Sequence, residues 1–295
     1  MKILCLGHAT YDITYPLDDF PLENTKNRVQ TRISCGGGPS STAAYLLGSW
    51  GADVYFAGLV GNDYYGEKIK NEFKNIGVNT DYLEMSNDCE TTTSIVLSNK
   101  KNGSRTTFAY KHNKVFMKPF ELNFNPDIIL IDGQEYIRSL EILDKYPNAL
   151  SIIDAGRNKK EVIDLAMKVK WLVCSLEFAE GVTMIKADYN NSGTIKQIYD
   201  SLKEKFKNEI VITLESKGCY YNYQIIPSIN VKSVDSTGAG DIFHGAFTYF
   251  LSHNVDIINV LKLSNYAGAI SVTRIGTRKS IPTKEEMETV YNEFK

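Results

Sequence analysis

A glycine-rich turn next to an aspartate is the stretch of this sequence best suited to phosphoryl chemistry. Residues 234–241 read VDSTGAGD, and the apolar residues that follow recur at helical spacing. A glycine turn at a helix start presents free backbone N–H groups and the positive end of the helix dipole, which together favour phosphate. Asp241 lies beside that turn, where a carboxylate can take the proton of a hydroxyl that attacks phosphorus. The alternative is an ordinary helix start capped by Asp235, Ser236 or Thr237.

A second candidate site follows the N-terminal strand predicted at residues 2–7. Ligands of open α/β sheets bind at the carboxyl ends of strands, so Asp12 is a candidate ligand for substrate hydroxyls, with a turn aspartate as the alternative. A glycine run comes before the next predicted helix, which Ser40, Ser41 or Thr42 can cap. Glycines allow the backbone to approach a ligand closely. The residues of that run are Gly36, Gly37 and Gly38.

The composition indicates an ordinary globular protein. The chain has 295 residues, is 43% hydrophobic and carries a net charge of −2 with no basic block, which disfavours a nucleic-acid partner. Its five cysteines are odd in number and widely spaced, which disfavours a disulfide framework or a zinc site. No apolar run reaches membrane-spanning length, and no signal-peptide pattern opens the sequence. We therefore expect a soluble cytoplasmic protein without a membrane partner.

The elements that must position these residues alternate between strand and helix. Short buried strands are predicted at 127–132, 150–154 and 171–174, with helices between and beyond them, which favours a doubly wound, mostly parallel sheet flanked by helices. Residues 13–34 and 80–111 are strand-like without a helical pattern, and an Asn-Gly pair at 102–103 favours a hairpin. The sequence thus predicts one α/β domain over residues 1–295, with a small β-sheet inserted from about 13–34 and 80–111.

Taken together, these motifs resemble the signatures of the ribokinase-like (PfkB) carbohydrate kinases. The turn is similar to the family's D-T-T-G-A-G-D, with Ser236 in place of the first threonine. The glycine run and the later V-G-x-D-x-x-G stretch at 60–66 resemble the other signature. The variant G-G-G-P-x-x-T-A resembles the branch that contains sulfofructose kinases, with ketohexokinases as more distant relatives. The resemblance implies a ribokinase-like fold in which the small sheet is a lid over the sugar and often the dimer contact.

The resemblance also implies a role for particular residues. Asp241 is expected to be the general base, and the N–H groups of Gly238, Ala239 and Gly240 are expected to hold the developing charge. Three further positions depart from the family pattern, with Ser41 and Cys174 in place of asparagines and Glu215 in place of a glycine. The expected sugar ligands are Asp12, Asn24, Gly36, Gly37, Gly38 and Ser41. The expected ATP-side residues are Glu177, which orients Mg²⁺ through water, and Thr213, Gly218, Asn265 and Gly276, with Asp235 at a monovalent cation such as K⁺. For Glu177 the alternative is a charge that stabilises a helix N-terminus.

The leading hypothesis is an ATP-dependent sugar kinase that acts on a primary hydroxyl of a ketohexose or a modified fructose. A nucleoside or ribose kinase of the same family is the alternative. An anionic sugar would need a cation at the far end of the site, for which Lys26 and Arg105 are candidates, unless both are solvated surface charges. We expect sugar and ATP as the binding partners and a homodimer through the lid.

Two further classes of protein are weighed against the kinase. A NAD(P)-linked oxidoreductase would need G-x-G-x-x-G after its first strand, and that strand offers only Gly7. A P-loop motif is also missing from the sequence. A sugar-binding protein that has lost catalysis is the non-enzymatic alternative, and its simplest sign would be loss of Asp241, which is present.

Overall fold

The large sheet has the parallel arrangement that the βα alternation predicts. The structure is a computed structural model that describes residues 1–111, 115–188 and 192–293. In those residues nine strands pair in the order β13-β12-β11-β10-β9-β8-β1-β4-β5, parallel from β11 to β5, with β12 and β13 antiparallel at one edge. The strands are β1 (Lys2–Leu6), β4 (Asp53–Gly61), β5 (Asn79–Ser86), β8 (Ile128–Ile131), β9 (Leu150–Ala155), β10 (Trp171–Ser175), β11 (Glu209–Thr213), β12 (Cys219–Tyr221) and β13 (Gln224–Ile226).

Helices cover both faces of this sheet. One core lies under α1, α2, α7, α8 and α9, and the other under α3 to α6. Side chains of a strand alternate between the two faces, so Ile3 and Cys5 of β1 enter the first core while Leu4 and Leu6 enter the second. The helices are α1 (Pro39–Ser49), α2 (Tyr64–Asn75), α3 (Tyr136–Lys145), α4 (Lys160–Ala166), α5 (Leu176–Thr183), α6 (Ser192–Lys205), α7 (Ala239–Ser252), α8 (Ile257–Ser271) and α9 (Lys284–Glu293). No helix within the described ranges is both long and apolar enough to cross a membrane.

A separate four-stranded sheet, here called the small sheet, contains the predicted hairpin. Its order is β3-β2-β6-β7, with β2 parallel to β6 and the other pairs antiparallel. Its strands are β2 (Thr10–Leu17), β3 (Ile33–Gly37), β6 (Thr93–Asn99) and β7 (Arg105–Tyr110). Strand β5, inside the range 80–111 that was expected to belong to the insertion, pairs with β4 in the large sheet instead. The second insertion therefore begins after β5.

The helix starts at the two glycine runs differ from the predicted side-chain caps. Gly38 is the N-cap of α1 and Gly238 that of α7, and neither cap has a side-chain hydrogen bond. Pro39 at the first helical position of α1 has a fixed φ suited to a helix and no N–H to satisfy. Ser40, Ser41 and Thr42 lie inside α1 and are buried. The start of α7 thus keeps its backbone N–H groups free of capping side chains, whereas Ser40 N in the first turn of α1 donates to the side chain of Asp132.

Candidate active site

The glycine-rich stretch 234–241 forms a turn at the start of α7, as the sequence predicts. It is called the anion-binding turn here, after its predicted role. Gly238 has φ +78°, a left-handed conformation that favours glycine. The first intrahelical bond runs from Ile242 N to Gly238 O, so the N–H groups of Ala239, Gly240 and Asp241 precede the helical ladder. Ala239 N makes only a long bond of 3.5 Å to Ser236 O. A Cβ built on Gly240 meets no atom within 4 Å, which leaves open space over the turn.

The pKa of the Asp241 carboxyl group is raised into the neutral range. Burial raises the pKa of Asp241 to about 7, and the negative charge of Asp154 acts in the same direction. Electrostatic interactions with His244 and Arg105 lower the pKa of Asp241 and so act against this rise, and Asp12 adds a smaller increase. A carboxyl group with a pKa near the working pH is well matched to accept and release a proton. Asp12, the expected sugar ligand, is therefore close enough to influence the predicted base.

Asp154 and His244 support this turn and were missed by sequence reasoning. His244 Nδ1 lies 3.2 Å from Asp154 Oδ2 and 2.7 Å from Gly240 O, while Nε2 lies 3.1 Å from Val173 O. Burial raises the pKa of Asp154, against the opposing effect of His244. The available signal was the position of Asp154 at the carboxyl end of a predicted strand, the same rule that selected Asp12.

Asp12 is buried and held by two hydroxyl groups. Its Oδ1 accepts a hydrogen bond from Thr10 Oγ1 at 2.7 Å, and its Oδ2 accepts one from Thr277 Oγ1 at 2.9 Å. Burial raises the pKa of Asp12, and these hydrogen bonds oppose the rise. A Cβ on Gly37 would overlap the Asp12 carboxylate, so this glycine is required by packing on Asp12 itself. The backbone at Gly37 therefore lies directly against Asp12, while the predicted close approach of the glycine run to a sugar stays a prediction.

Ser41 makes a contact that the sequence did not predict. Its side chain is fully buried, and its hydroxyl accepts a hydrogen bond from Arg278 Nη2 at 2.5 Å. Arg278 is itself buried, forms an ion pair with Glu72 at 2.7 Å and stacks near the rings of Tyr45 and Phe73. Glu72 Oε2 also accepts the N–H of Gly36 at 2.9 Å. The Ser41 hydroxyl is thus engaged by Arg278.

The other expected sugar-side residues divide into two groups. Asn24 and Lys26 lie in residues 18–32, which are exposed throughout, and no hydrogen bond between described residues joins either side chain to the Asp12 group. Arg105 contacts the anion-binding turn, where its Nη1 donates to Ser236 O at 2.5 Å and to Ser236 Oγ at 2.7 Å. Arg105 therefore lies at the glycine turn before α7, and its expected contact with an anionic sugar stays a prediction.

A further polar cluster lies at the ends of β1 and β8 and was also missed. Asp132 Oδ2 accepts the N–H groups of His8 and Ser40, and its Oδ1 accepts that of Gln134. Burial raises the pKa of the neighbouring Glu135 to about 7, with Asp132 adding to the rise. The signal was again available, since these residues follow the predicted strand 127–132.

The expected nucleotide side keeps its backbone turn despite a substitution. Glu215, in place of the family glycine, has φ +53°, and Gly218 has φ +98°. The turn is closed by Leu214 N to Gly218 O at 2.7 Å. Glu177 is exposed in the first turn of α5, whereas the nearby Cys174 is buried in β10. The predicted backbone turn is therefore present, and Glu215 adopts in it a left-handed conformation that is strained for a residue other than glycine.

Three further expected residues, Thr213, Asp235 and Asn265, make hydrogen bonds to other groups of the protein. Asn265 is buried and its amide donates to Ile226 O at 2.9 Å. Thr213 Oγ1 donates to Cys174 O at 3.3 Å. Asp235 Oδ2 accepts the N–H of Gly276 at 3.0 Å, and its Oδ1 accepts both the N–H and the hydroxyl of Thr237. No three His, Cys, Asp or Glu side chains within the described ranges group closely enough to hold a metal ion by themselves.

Comparison with known proteins assigns this arrangement to a family. The chain is 27% identical to the ribokinase of Bacillus subtilis, over 98% of this chain and 99% of that protein. It is 25% identical to the nucleoside kinase of Methanocaldococcus jannaschii, over 97% and 95%. The structure of Arabidopsis thaliana ribokinase complexed with ribose and ATP superposes with a TM-score of 0.80 at 20% identity, over 98% of each chain. Residues 1–284 match the pfkB family carbohydrate kinases. With the match extending over nearly the whole sequence, the chain belongs to the pfkB family of carbohydrate kinases.

Proposed function

We propose that this protein transfers the γ-phosphoryl group of ATP to a primary hydroxyl of a small sugar, with Asp241 as general base. The observation that carries the proposal is the position of Asp241 beside N–H groups that precede the ladder of α7, at a turn where a Cβ on Gly240 would meet no atom within 4 Å. The hydroxyl oxygen forms a bond to the γ-phosphorus while the bond from phosphorus to the β–γ bridging oxygen breaks. The hydroxyl proton passes to Asp241 and ADP leaves.

The residues around the turn fit a bound MgATP. The N–H groups of Gly240 and Asp241 can hold the phosphoryl oxygens as negative charge shifts in the transition state. Glu177 offers an exposed carboxylate in the first turn of α5 and would hold Mg²⁺ through water. When bound, the ion neutralises charge on the β- and γ-phosphates.

A monovalent cation near Asp235 is a second part of the proposal. Asp235 is 1% exposed and fixes both the signature turn, through Thr237, and the loop at Gly276. A cation bound to oxygen atoms of these two segments would hold the turn in the same geometry. If turnover is unchanged when K⁺ is replaced by a large organic cation, this part of the proposal is wrong.

The sugar pocket is proposed to lie between Asp12, the glycine run and the polar cluster at Glu135. Carboxylate and peptide groups pair well with vicinal hydroxyls. Ser41 stands where the family usually presents an amide, and its hydroxyl is engaged by Arg278, which supports a preference different from ribose. We therefore keep a ketohexose or modified fructose as the acceptor, while the names of the relatives favour ribose or a nucleoside.

The experiment is an ADP-release assay over neutral ketoses, ribose, deoxyribose, nucleosides and anionic sugars. Turnover of a ketose above the others supports the proposed acceptor. Turnover of nucleosides or ribose alone removes the ketose and leaves the kinase. Sugar binding in calorimetry, with no ADP from any acceptor, supports the alternative of a sugar-binding protein that has lost catalysis.

A homodimer through the small sheet is the proposed assembly. Strand β7 is the edge strand, and all six of its residues are exposed. Ile95 and Phe108 are directly paired across β6 and β7 and are 45% and 59% exposed. An exposed apolar pair on a free edge strand favours pairing with another chain, here a second copy, as the family resemblance implies.

A further inference from the structure

The β6–β7 hairpin of the small sheet rests directly on the anion-binding turn. Ser98 Oγ donates to Val234 O at 3.1 Å, and Ser236 N donates to Gly103 O at 3.0 Å. Gly103 has φ +72°, and a Cβ there would overlap the side chain of Ser233. The absence of a side chain at Gly103 therefore lets the hairpin tip approach the turn closely. The small sheet and the start of α7 are thus fixed to each other through backbone groups.

Arg105 is the first residue of β7 and extends from this hairpin to the turn. Only its Nη1 is used in the two bonds to Ser236, and an arginine has five N–H donors in a planar fork. Within the described ranges no carboxylate lies within ion-pair distance of the guanidinium. Its charge nevertheless lowers the pKa of Asp241, so it lies close to the proposed base. A positive charge that has no carboxylate partner in the described part of the chain is thereby held beside the anion-binding turn.

We propose that Arg105 is a catalytic residue, carried by the small sheet, that contacts the phosphoryl group during its transfer. The proposal rests on the proposed function. In phosphoryl transfer, charge is spread over the three equatorial oxygens of the transferred group, and an arginine at that point stabilises it. The free N–H groups of Arg105 match phosphate oxygens geometrically. The role assigned to Arg105 differs from that of a cation for an anionic sugar.

The proposal links catalysis to the position of the small sheet. Asp241 and the free N–H groups belong to α7, whereas Arg105 belongs to the hairpin that contacts Ser236 from the other side. The full set of groups around the phosphoryl is therefore assembled only when the hairpin lies on the turn. Arg105 would have little effect on sugar affinity in the ground state, since its contact is with the phosphoryl end.

The test compares Arg105→Ala and Arg105→Lys with a matched control, Lys101→Ala. Lys101 lies on the same hairpin and pairs with Asp19 at the surface, so its removal deletes the same charge away from the turn. Loss of one preorganised charge-stabilising donor typically lowers kcat about 10²–10³-fold. We expect that range for Arg105→Ala, with the sugar KM within a few-fold of the parent, a partial loss for Arg105→Lys, and parental activity for Lys101→Ala. Added guanidinium ions should restore part of the activity of Arg105→Ala.

Two readouts separate a catalytic role from a structural one. Fluoroaluminate, which mimics a transferring phosphoryl, should tighten binding of ADP and sugar in the parent but not in Arg105→Ala. The acid limb of kcat/KM should also move to higher pH in Arg105→Ala, because one cation beside Asp241 is lost while Asp154, His244 and Asp12 remain.

Each contrary result has a distinct meaning. Unchanged kcat with a raised sugar KM in Arg105→Ala would make Arg105 a sugar contact, and unchanged kcat and KM would remove it from the site. A loss of activity with neither guanidinium rescue nor a change in fluoroaluminate binding would reduce it to a structural residue. If the parent releases no ADP with any acceptor, the proposed function fails; an active parent with an equally active Arg105→Ala overturns only the role of Arg105.

Discussion

Asp241 combines a raised pKa with a position beside free backbone N–H groups, so activity and stability should respond to it in opposite directions. The deprotonated form is the base, so kcat/KM should fall as the pH drops through about 7. Asp241→Asn should lower kcat about 10²–10⁴-fold and flatten this acid limb. The measurement is a pH–rate profile of both proteins with the best acceptor. An Asn variant within a few-fold of the parent kcat would contradict the assignment.

The same raised pKa predicts a gain of stability in Asp241→Asn. A carboxyl whose pKa is higher in the folded than in the unfolded protein stabilises the fold at low pH and loses that contribution as pH rises through the folded pKa. The parent should therefore lose stability relative to the Asn variant between about pH 4 and pH 7. Thermal unfolding at pH 4.5 and pH 8 checks this, with the excess stability of the variant expected only at pH 8. Equal melting curves at pH 8 would show that Asp241 is not held in an unfavourable charged state.

Glu215 occupies a left-handed conformation that a glycine adopts without strain. A left-handed residue other than glycine costs about 1–2 kcal/mol, part of which is offset by the greater freedom of glycine in the unfolded chain. Glu215→Gly should therefore raise the free energy of unfolding by about 0.5–1 kcal/mol. Denaturant unfolding measures it, with Ser216→Gly in the same turn as control, because Ser216 has no positive φ to relieve. Stabilisation by both glycines, or by neither, would argue against strain at Glu215.

At the scale of elements, the exposed edge of the small sheet should determine the oligomeric state. Phe108→Ser removes the largest exposed apolar side chain of β7 without touching the turn that Arg105 contacts. We expect the variant to sediment as a monomer at concentrations where the parent is a dimer. Ile137→Ser is the control, because the side chain of Ile137 is as exposed as that of Ile95 but lies on α3. A parent that is monomeric at all concentrations, or a dimeric Phe108→Ser, removes this interface.

At the scale of the whole molecule, the C-terminal loop 276–280 holds together groups from the first third of the chain. Thr277 binds Asp12, and Arg278 binds both Ser41 and Glu72. Removing one partner of a buried ion pair typically costs about 3–5 kcal/mol, and the quarter-exposed Glu72 should reduce this. Arg278→Met should therefore destabilise the fold by about 2–3 kcal/mol.

A matched surface pair provides the control for this prediction. Arg274 and Glu286 form an ion pair in which both side chains are more than a third exposed, so Arg274→Met should cost less than about 1 kcal/mol. Adding Glu72→Gln to Arg278→Met should recover part of the loss, because the uncompensated charge is removed. Denaturant unfolding of the four proteins gives these values. Equal effects at Arg278 and Arg274 would mean that burial of the first pair does not matter.

The sequence by itself determined the strand–helix alternation and the glycine turn, and it selected Asp241 as the candidate base. Strands such as β1 and β8 are buried on both faces, so each appears in the sequence as a short apolar run. This pattern does not depend on which strands they pair with. The turn at Gly238 needs a residue that tolerates positive φ, and this requirement is local. Features that depend on a few consecutive residues were therefore predictable.

Tertiary structure alone decided which side chains meet. Thr277 and Asp12 are 265 residues apart, and Arg105 and Ser236 are 131 apart, so their contacts depend on strand order and not on any local pattern. The sequence does not show whether an arginine is buried, like Arg278, or contacts a turn, like Arg105. The range that contains β5 was predicted to belong to the small sheet, but β5 pairs with β4 in the large sheet. The reason is the same, because the composition of a strand does not specify which neighbouring strand it pairs with.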